Sequence, residues 1–173
     1  MTPDETSCAV FTVTNQGNYG CVIDLESYKV RDYTIDTKKH VEEISHAKIS
    51  RDSKFCLSLS GSFEAQLILN NTWNGLQAAE VKLELQIADF EWQNGHNFIT
   101  VGSDVQIWSL FVDKSGKIVE LQSRVLPLPS ILNSEIFTAV GVSPNGQRLL
   151  GEKYLGPYFN GRISFFLLEN GDK

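Results

Sequence analysis

The sequence predicts an all-β protein, an arc of a β-propeller with about four blades of which the first and last are incomplete. Three observations carry that reading. Short runs rich in β-branched and aromatic residues dominate the chain, at 8–13, 55–59, 98–101 and 105–108, each bounded by Gly, Asn, Asp or Ser, as strands joined by tight turns are. The turns then recur at one long period: the segment 49–55 is echoed at 90–98 and again at 142–149. Each copy is an apolar strand end, a polar turn with Asp or Asn followed by Gly or Ser, and a new apolar strand. Ser53 and Gly95 lie 42 residues apart, and Gly95 and Gly146 lie 51 apart, the excess falling in 113–117 and 127–135. The opening segment 2–10 is a fourth copy, 48 residues before Ser53. A sandwich has no reason to repeat at this period, whereas a four-stranded propeller blade does.

Taken in order, the first blade (1–39) has strands at 8–13, 20–25 and 30–35, with its innermost strand missing before Thr2. The second (40–86) runs through 44–49, 55–59, 66–70 and 81–86. Residues 76–87 are ambiguous, because Leu76, Ala79, Leu83 and Ile87 fit a helical stripe while Val81, Leu83 and Leu85 alternate as a strand would. The repeat position demands a strand. The third blade (87–126) takes 87–92, 98–101, 105–112 and 118–126, and the fourth (136–173) takes 137–142, 149–154 and 162–168 without an outer strand. Closed propellers use about four to eight blades of four strands. The chain is therefore expected to be an arc of a larger ring, or one whose remaining blades lie on another chain, with self-association through open blade edges as a third way to close it.

With these strings in place, the chain resembles the WD-repeat β-propellers over nearly its whole length. The segment 101–110 (VGSDVQIWSL) is similar to the second and third strands of a family blade, with Trp108 in the family's tryptophan position and Ser109 where Asp would stand. The segment 21–25 keeps the Asp as Asp24 but has Ile23 for Trp. His40 stands ten residues before Ser50, as the histidine of the family's Gly-His dipeptide does, with Lys39 in place of Gly. In the second and fourth copies Asn70 and Phe166 occupy the tryptophan position, so no blade carries the family's full hydrogen-bonded set of Asp, His, Ser/Thr and Trp. The resemblance implies structural roles for Trp108, His40 and Asp24. The second and third blades also faintly resemble the Trp-poor repeats of cilia- and flagella-associated members.

Composition narrows the function. Fifteen basic against twenty-one acidic residues give a net charge of −6, and no Lys/Arg stripe is available to displace counterions from a phosphate backbone, so no nucleic-acid partner is expected. No apolar run approaches the roughly 18 residues that span a bilayer, and no membrane partner is expected either. The three cysteines, Cys8, Cys21 and Cys56, are an odd number without close pairs and sit in strand-like runs, which points to reduced, structural thiols. There is no Gly-x-Ser-x-Gly elbow, no phosphate-cradling Gly-rich loop and no calcium-loop spacing. No catalytic, cofactor-binding or metal-binding residue is therefore assigned, and no cofactor is expected. Of the histidines and carboxylates that a propeller-fold hydrolase would need, His46 and Asp89 are the candidates on inner strands.

Two segments do not fit a silent surface. The apolar, Pro-punctuated link 124–132 offers Leu126, Leu128 and Ile131, and the aromatic loop 153–161 offers Tyr154, Tyr158 and Phe159, as candidate partner contacts. The resemblance implies a non-enzymatic scaffold or adaptor that binds protein partners within a larger complex. The rivals are a structural component of an axonemal or cytoskeletal complex and a propeller-fold hydrolase. A cytoplasmic location is expected, with the cytoskeleton, cilium and nucleus as alternatives.

Overall fold

The computed structural model describes residues 7–14, 17–30, 40, 42–61, 64–127, 136–154 and 162–167, with the backbone alone at 7–14, 17–20, 22, 153–154 and 162–167. Among these residues fourteen strands and no helix are found. They form four antiparallel sheets, each a meander in chain order. The first sheet holds β1 (Ser7–Thr14), β2 (Gly17–Asp24) and β3 (Lys29–Val30). The second holds β4 (Ile44–Ile49), β5 (Phe55–Ser60), β6 (Ala65–Asn71) and β7 (Gln77–Leu83). The third holds β8 (Ile87–Trp92), β9 (Asn97–Gly102), β10 (Val105–Val112) and β11 (Ile118–Val125). The fourth holds β12 (Ile136–Val142), β13 (Arg148–Tyr154) and β14 (Arg162–Leu167).

Successive strand residues point to opposite faces, and this alternation explains how the sheets stack. On β5 and β6, Phe55, Leu57, Leu59, Leu67 and Leu69 face the third sheet and form one core with Trp92, Phe98, Trp108 and Leu110. The residues between them, Cys56, Ser58, Ser60, Gln66 and Asn70, are buried on the opposite face, so all of β5 is buried. The third sheet alternates likewise. Its other face presents Ile99, Val101, Val105 and Ile107 to Phe137, Val140 and Leu149 of the fourth. The third sheet is thus covered on both sides. Each of these large side chains contributes about 1.5–3 kcal/mol by leaving water, so the stacking is the main support of the fold.

The turns follow from local chemistry. Ser53 stands at φ 61 and Gly146 at φ 72 in equivalent hairpins, where the chain enters the left-handed region. Gly102 is required for another reason: a Cβ there would meet the carbonyl oxygen of Gln86 at 2.1 Å. Strand bounds expected from the sequence hold to within a residue or two except at β2, which starts at Gly17 rather than Gly20, and at β7. That strand was expected at 81–86 and instead runs from Gln77 to Leu83, with 84–86 in the bend that leads to β8. The β6–β7 hairpin sets the earlier start. Asn71 N–H donates to Leu76 O (2.9 Å), and the Asn70 amide donates to Gly75 O (3.1 Å). This places Ala79, Val81 and Leu83 opposite Leu69, Leu67 and Ala65. Of the strand expected at 30–35, Val30 is in β3 and 31–35 lie outside the described residues.

Candidate interaction surfaces

The first strands of the last three sheets, β4, β8 and β12, pack beside one another and carry the polar groups on which any inner-strand chemistry would depend. The Lys48 ammonium donates to Asp89 Oδ1 (3.0 Å), Glu91 Oε2 (3.2 Å) and Phe90 O (2.5 Å), and stands 5.3 Å from the centroid of the Phe90 ring. Asp89 Oδ1 also accepts the Phe90 N–H (2.8 Å), while its Oδ2 accepts the buried Val140 N–H (3.0 Å). One carboxylate therefore joins the second, third and fourth sheets. His46 Nε2 lies 3.9 Å from Asp89 Oδ1, beyond hydrogen-bond reach, and its Nδ1 lies 3.2 Å from Ser45 Oγ. That hydroxyl donates to Leu59 O (3.3 Å), so the Ser-His-Asp sequence of contacts lacks the activated nucleophile that acyl transfer needs. Among the described residues no group of three or more His, Cys, Asp or Glu could hold a metal ion.

A second set of ties lies at the hairpins that follow these strands. The Arg51 guanidinium donates to Trp92 O (3.1 Å) from Nε, to Pro144 O (2.5 Å) from Nη1, and to Val142 O (3.2 Å) and Ser143 O (3.0 Å) from Nη2. The Trp92 indole donates back to Lys48 O (3.0 Å), and the Gln93 amide donates to Gly146 O (2.8 Å). Arg51 from the second sheet thus holds the ends of the third and fourth.

The residues singled out for structural roles fall in different sheets. His40 is buried against β5, with Nδ1 2.5 Å from Ser60 Oγ and Nε2 2.7 Å from Ser58 Oγ. Burial lowers its pKa to about 4, the nearby Glu80 charge opposing this only in part. Trp108 is buried in the third sheet. Its indole donates to Thr100 Oγ1 (3.0 Å) and its ring stacks on Phe98, centroids 5.7 Å apart. Asp24 caps the turn after β2, its Oδ1 accepting from the N–H groups of Glu26 (3.1 Å) and Ser27 (2.9 Å) and from the Ser27 hydroxyl (2.9 Å). Cys56 is wholly buried, which pushes its thiol up to about 12, and Cys21 is half-buried.

No protein-family model matches the chain and no curated protein does. Among solved structures it is similar to the β-propeller domain of Cps50 (Swd1) from Myceliophteria thermophila, with a TM-score of 0.63 and 21% identity over 88% of this chain and 47% of that one. It is also similar to the Dos1 propeller, with a TM-score of 0.62 and 18% identity over 87% of this chain and 37% of that one. The chain folds as an arc of a β-propeller. It spans about half the length, or less, of the propellers it matches. The resemblance to WD-repeat propellers thus holds at the level of the fold, and these two structures lend no support to the cilia- and flagella-associated type.

The sheets are accordingly propeller blades, and their loops fall at two ends. The partner contacts expected from the sequence belong to the end where third strands begin and fourth strands finish. Leu126 is half-buried there, packed against the core between the third and fourth blades, and its N–H donates to Val105 O (2.8 Å). Tyr154 closes β13 opposite Ile136. Leu128, Ile131, Tyr158 and Phe159 lie outside the described residues, as does the side chain of Tyr154. The opposite end holds the Asn70–Gln77 and Val112–Ile118 hairpins, and here the sequence reading missed an exposed apolar pair. Trp73 is 79% and Leu76 is 64% exposed. The available signal was Trp73 itself, set in a string of turn residues (NNTWNG) where no apolar neighbour alternates with it.

Proposed function

We propose that this propeller is a non-enzymatic scaffold that holds protein partners within a larger assembly in the cytoplasm. The observation that carries the reading is the division of labour between its polar and apolar groups. The charged side chains of the inner strands are engaged in ties between blades, whereas large apolar side chains stand exposed on the hairpins. Exposed Trp and Leu are typical of surfaces that protein partners cover. The link containing Leu126, Leu128 and Ile131 and the loop containing Tyr154, Tyr158 and Phe159 are proposed as one contact region and the opposite hairpins as another. The outward face of the fourth blade, where Leu150 is 39% exposed, supports covering by a further blade or a second chain.

The test sets scaffold against hydrolase. The purified protein is assayed on carboxylic esters, lactones, phosphoesters and peptides beside His46→Ala, a substitution at a partly exposed side chain that leaves the core intact. No turnover above background is expected from either protein, while partner capture from the source cells survives both the substitution and a chelator. A hydrolytic activity that a folded His46→Ala protein loses would overturn the scaffold reading.

A further inference from the structure

We propose that the groove between the second and third blades, at the end formed by the β6–β7 and β10–β11 hairpins, binds a short extended protein segment through one apolar side chain flanked by acidic residues. This inference rests on the scaffold reading and assigns it a site. The groove has a volume of about 280 Å³ and is open to solvent along its length, room for an apolar side chain and the backbone on either side of it. Its apolar lining comes from Phe55, Leu76 and Ala78 on one blade and Ile118 on the next. Phe55 is part of the core, which makes the floor rigid, whereas Leu76 stands open to water beside it.

Two further features give the groove a polarity. Gln77 lines it, and Gln77 Oε1 is a buried acceptor without a partner, while the amide nitrogen of the same side chain is held by Glu80 Oε2 (3.3 Å). That oxygen is closed off from solvent in the free protein, so a peptide N–H in the groove would reach it only after the Gln77 side chain turns outward. The β10–β11 hairpin brings Lys114 and Lys117, neither in an ion pair within 4.0 Å among the described residues, and Lys117 lines the groove. The one carboxylate of that turn, Asp113, is directed into it, accepting from Ser115 N–H (2.8 Å), Ser115 Oγ (2.6 Å) and Lys117 N–H (3.0 Å). In a chain of net charge −6, two unpaired lysines beside an apolar slot select an acidic partner.

The hairpin is also held ready. Asn71 Oδ1 accepts the Trp73 N–H (2.8 Å), and Asn74 Oδ1 accepts the Leu76 N–H (3.0 Å). Gly75 turns the chain at φ 70. Little ordering is left to be done on binding, which favours affinity from a small contact. Trp73, three residues from Leu76 on the same turn, supplies a second apolar contact of the residue type most often dominant in interfaces. β7 is the edge strand of its sheet, so a segment running past Gln77 and Ala78 also meets unpaired backbone groups.

The experiment measures fluorescence polarisation of labelled nine-residue peptides with a central Leu or Phe flanked by Asp and Glu, by Lys and Arg, or by Ser. Wild type is expected to bind the acidic set at least tenfold more tightly than the other two, and the preference should shrink as salt rises. Leu76→Ser and Trp73→Ser should each weaken binding at least tenfold. Lys114→Glu with Lys117→Glu should abolish the acidic preference. All four positions are outside the core, and unchanged melting curves verify folding. Equal binding of the three peptide sets, binding unaffected by Leu76→Ser, or no binding at all would each overturn the groove assignment. Capture of partners from the source cells separates the two levels of inference. Partners held equally by wild type and Leu76→Ser leave the scaffold reading standing and sink the groove, whereas failure of wild type to hold any partner sinks the scaffold reading itself.

Discussion

Asp89→Ala tests whether the inner-strand carboxylate is a structural tie. Asp89 is 7% exposed, and its two oxygens face different blades. Truncation leaves the Val140 N–H, on a residue only 8% exposed, without its acceptor, a loss worth about 1–3 kcal/mol. Lys48 loses one of its two carboxylates but keeps Glu91 and the Phe90 carbonyl. Its side chain is 29% exposed, so this part is screened and adds no more than about 1 kcal/mol. Together these give a destabilisation of about 1–4 kcal/mol.

Asp89→Asn retains one acceptor and turns the other contact into a clash of donors, which places it lower, at about 1–3 kcal/mol. Urea unfolding followed by far-ultraviolet circular dichroism reads the change in midpoint. Hydrogen exchange at the Val140 amide reads the tie directly, and that amide should exchange faster in Asp89→Ala than in wild type. A double-mutant cycle with Lys48→Met should return a smaller coupling than the Asp89→Ala loss, because part of that loss belongs to Val140. An unchanged midpoint together with unchanged protection of Val140 would refute the tie and free the carboxylate for another role.

Three further outcomes follow from the same contacts. His40 has a folded pKa of about 4 against an ordinary 6.5, so the stability gained by keeping it neutral is complete above about pH 6.5 and is lost as pH falls towards 4. This amounts to roughly 2 kcal/mol after allowance for solvent, and urea midpoints should fall less over that window in His40→Gln than in wild type. Trp108→Ala should cost about 3–5 kcal/mol in a melting experiment, and a soluble variant with an unaltered melting temperature would remove Trp108 from the core of the third blade. Cys56 should resist iodoacetamide at pH 8 until denaturant is added, as mass spectrometry of the labelled peptide would show, whereas rapid native labelling would contradict its burial.

What the sequence made legible is what alternation and turn chemistry encode. β8 falls where it was expected from residues 87–92, and β10 where it was expected from 105–112, because both strands alternate cleanly and end in turn residues. β7 was placed late because Val81, Leu83 and Leu85 alternate just as Ala79, Val81 and Leu83 do. Only the hydrogen bonds of Asn70 and Asn71 choose between the two starts. The ties were illegible for a different reason. Lys48, Arg51, Asp89 and Val140 are 41 to 93 residues from the groups they meet, and no local pattern marks a lysine whose partner lies on the next blade. Trp73 and Leu76 were overlooked because an apolar residue in a turn carries no periodicity, and exposure is a property of the folded surface alone.

The contacts also explain how a chain can keep this fold while lacking the full family set of Asp, His, Ser/Thr and Trp in any one blade. Two groups of contacts resemble parts of that set: His40 with Ser58 and Ser60 in the second blade, and Thr100 with Trp108 in the third. Each group holds neighbouring segments of a single blade, and each hydrogen bond in it is worth about 0.5–1.5 kcal/mol net. Between the second and third blades, by contrast, Phe55, Leu57, Leu59, Leu67, Leu69, Phe98 and Trp108 are all buried, each worth about 1.5–3 kcal/mol. Burial between blades outweighs the hydrogen-bonded set several-fold, so small apolar strands at the right period are sufficient for the stack. Register between blades then needs directional contacts, and these come from groups outside the family's set: Asp89 to Lys48 and Val140, Trp92 to Lys48, and Arg51 to four carbonyls. Removing Arg51 should therefore loosen the alignment of three hairpins while leaving each blade's own ladder intact, a separation that no substitution within the set would produce.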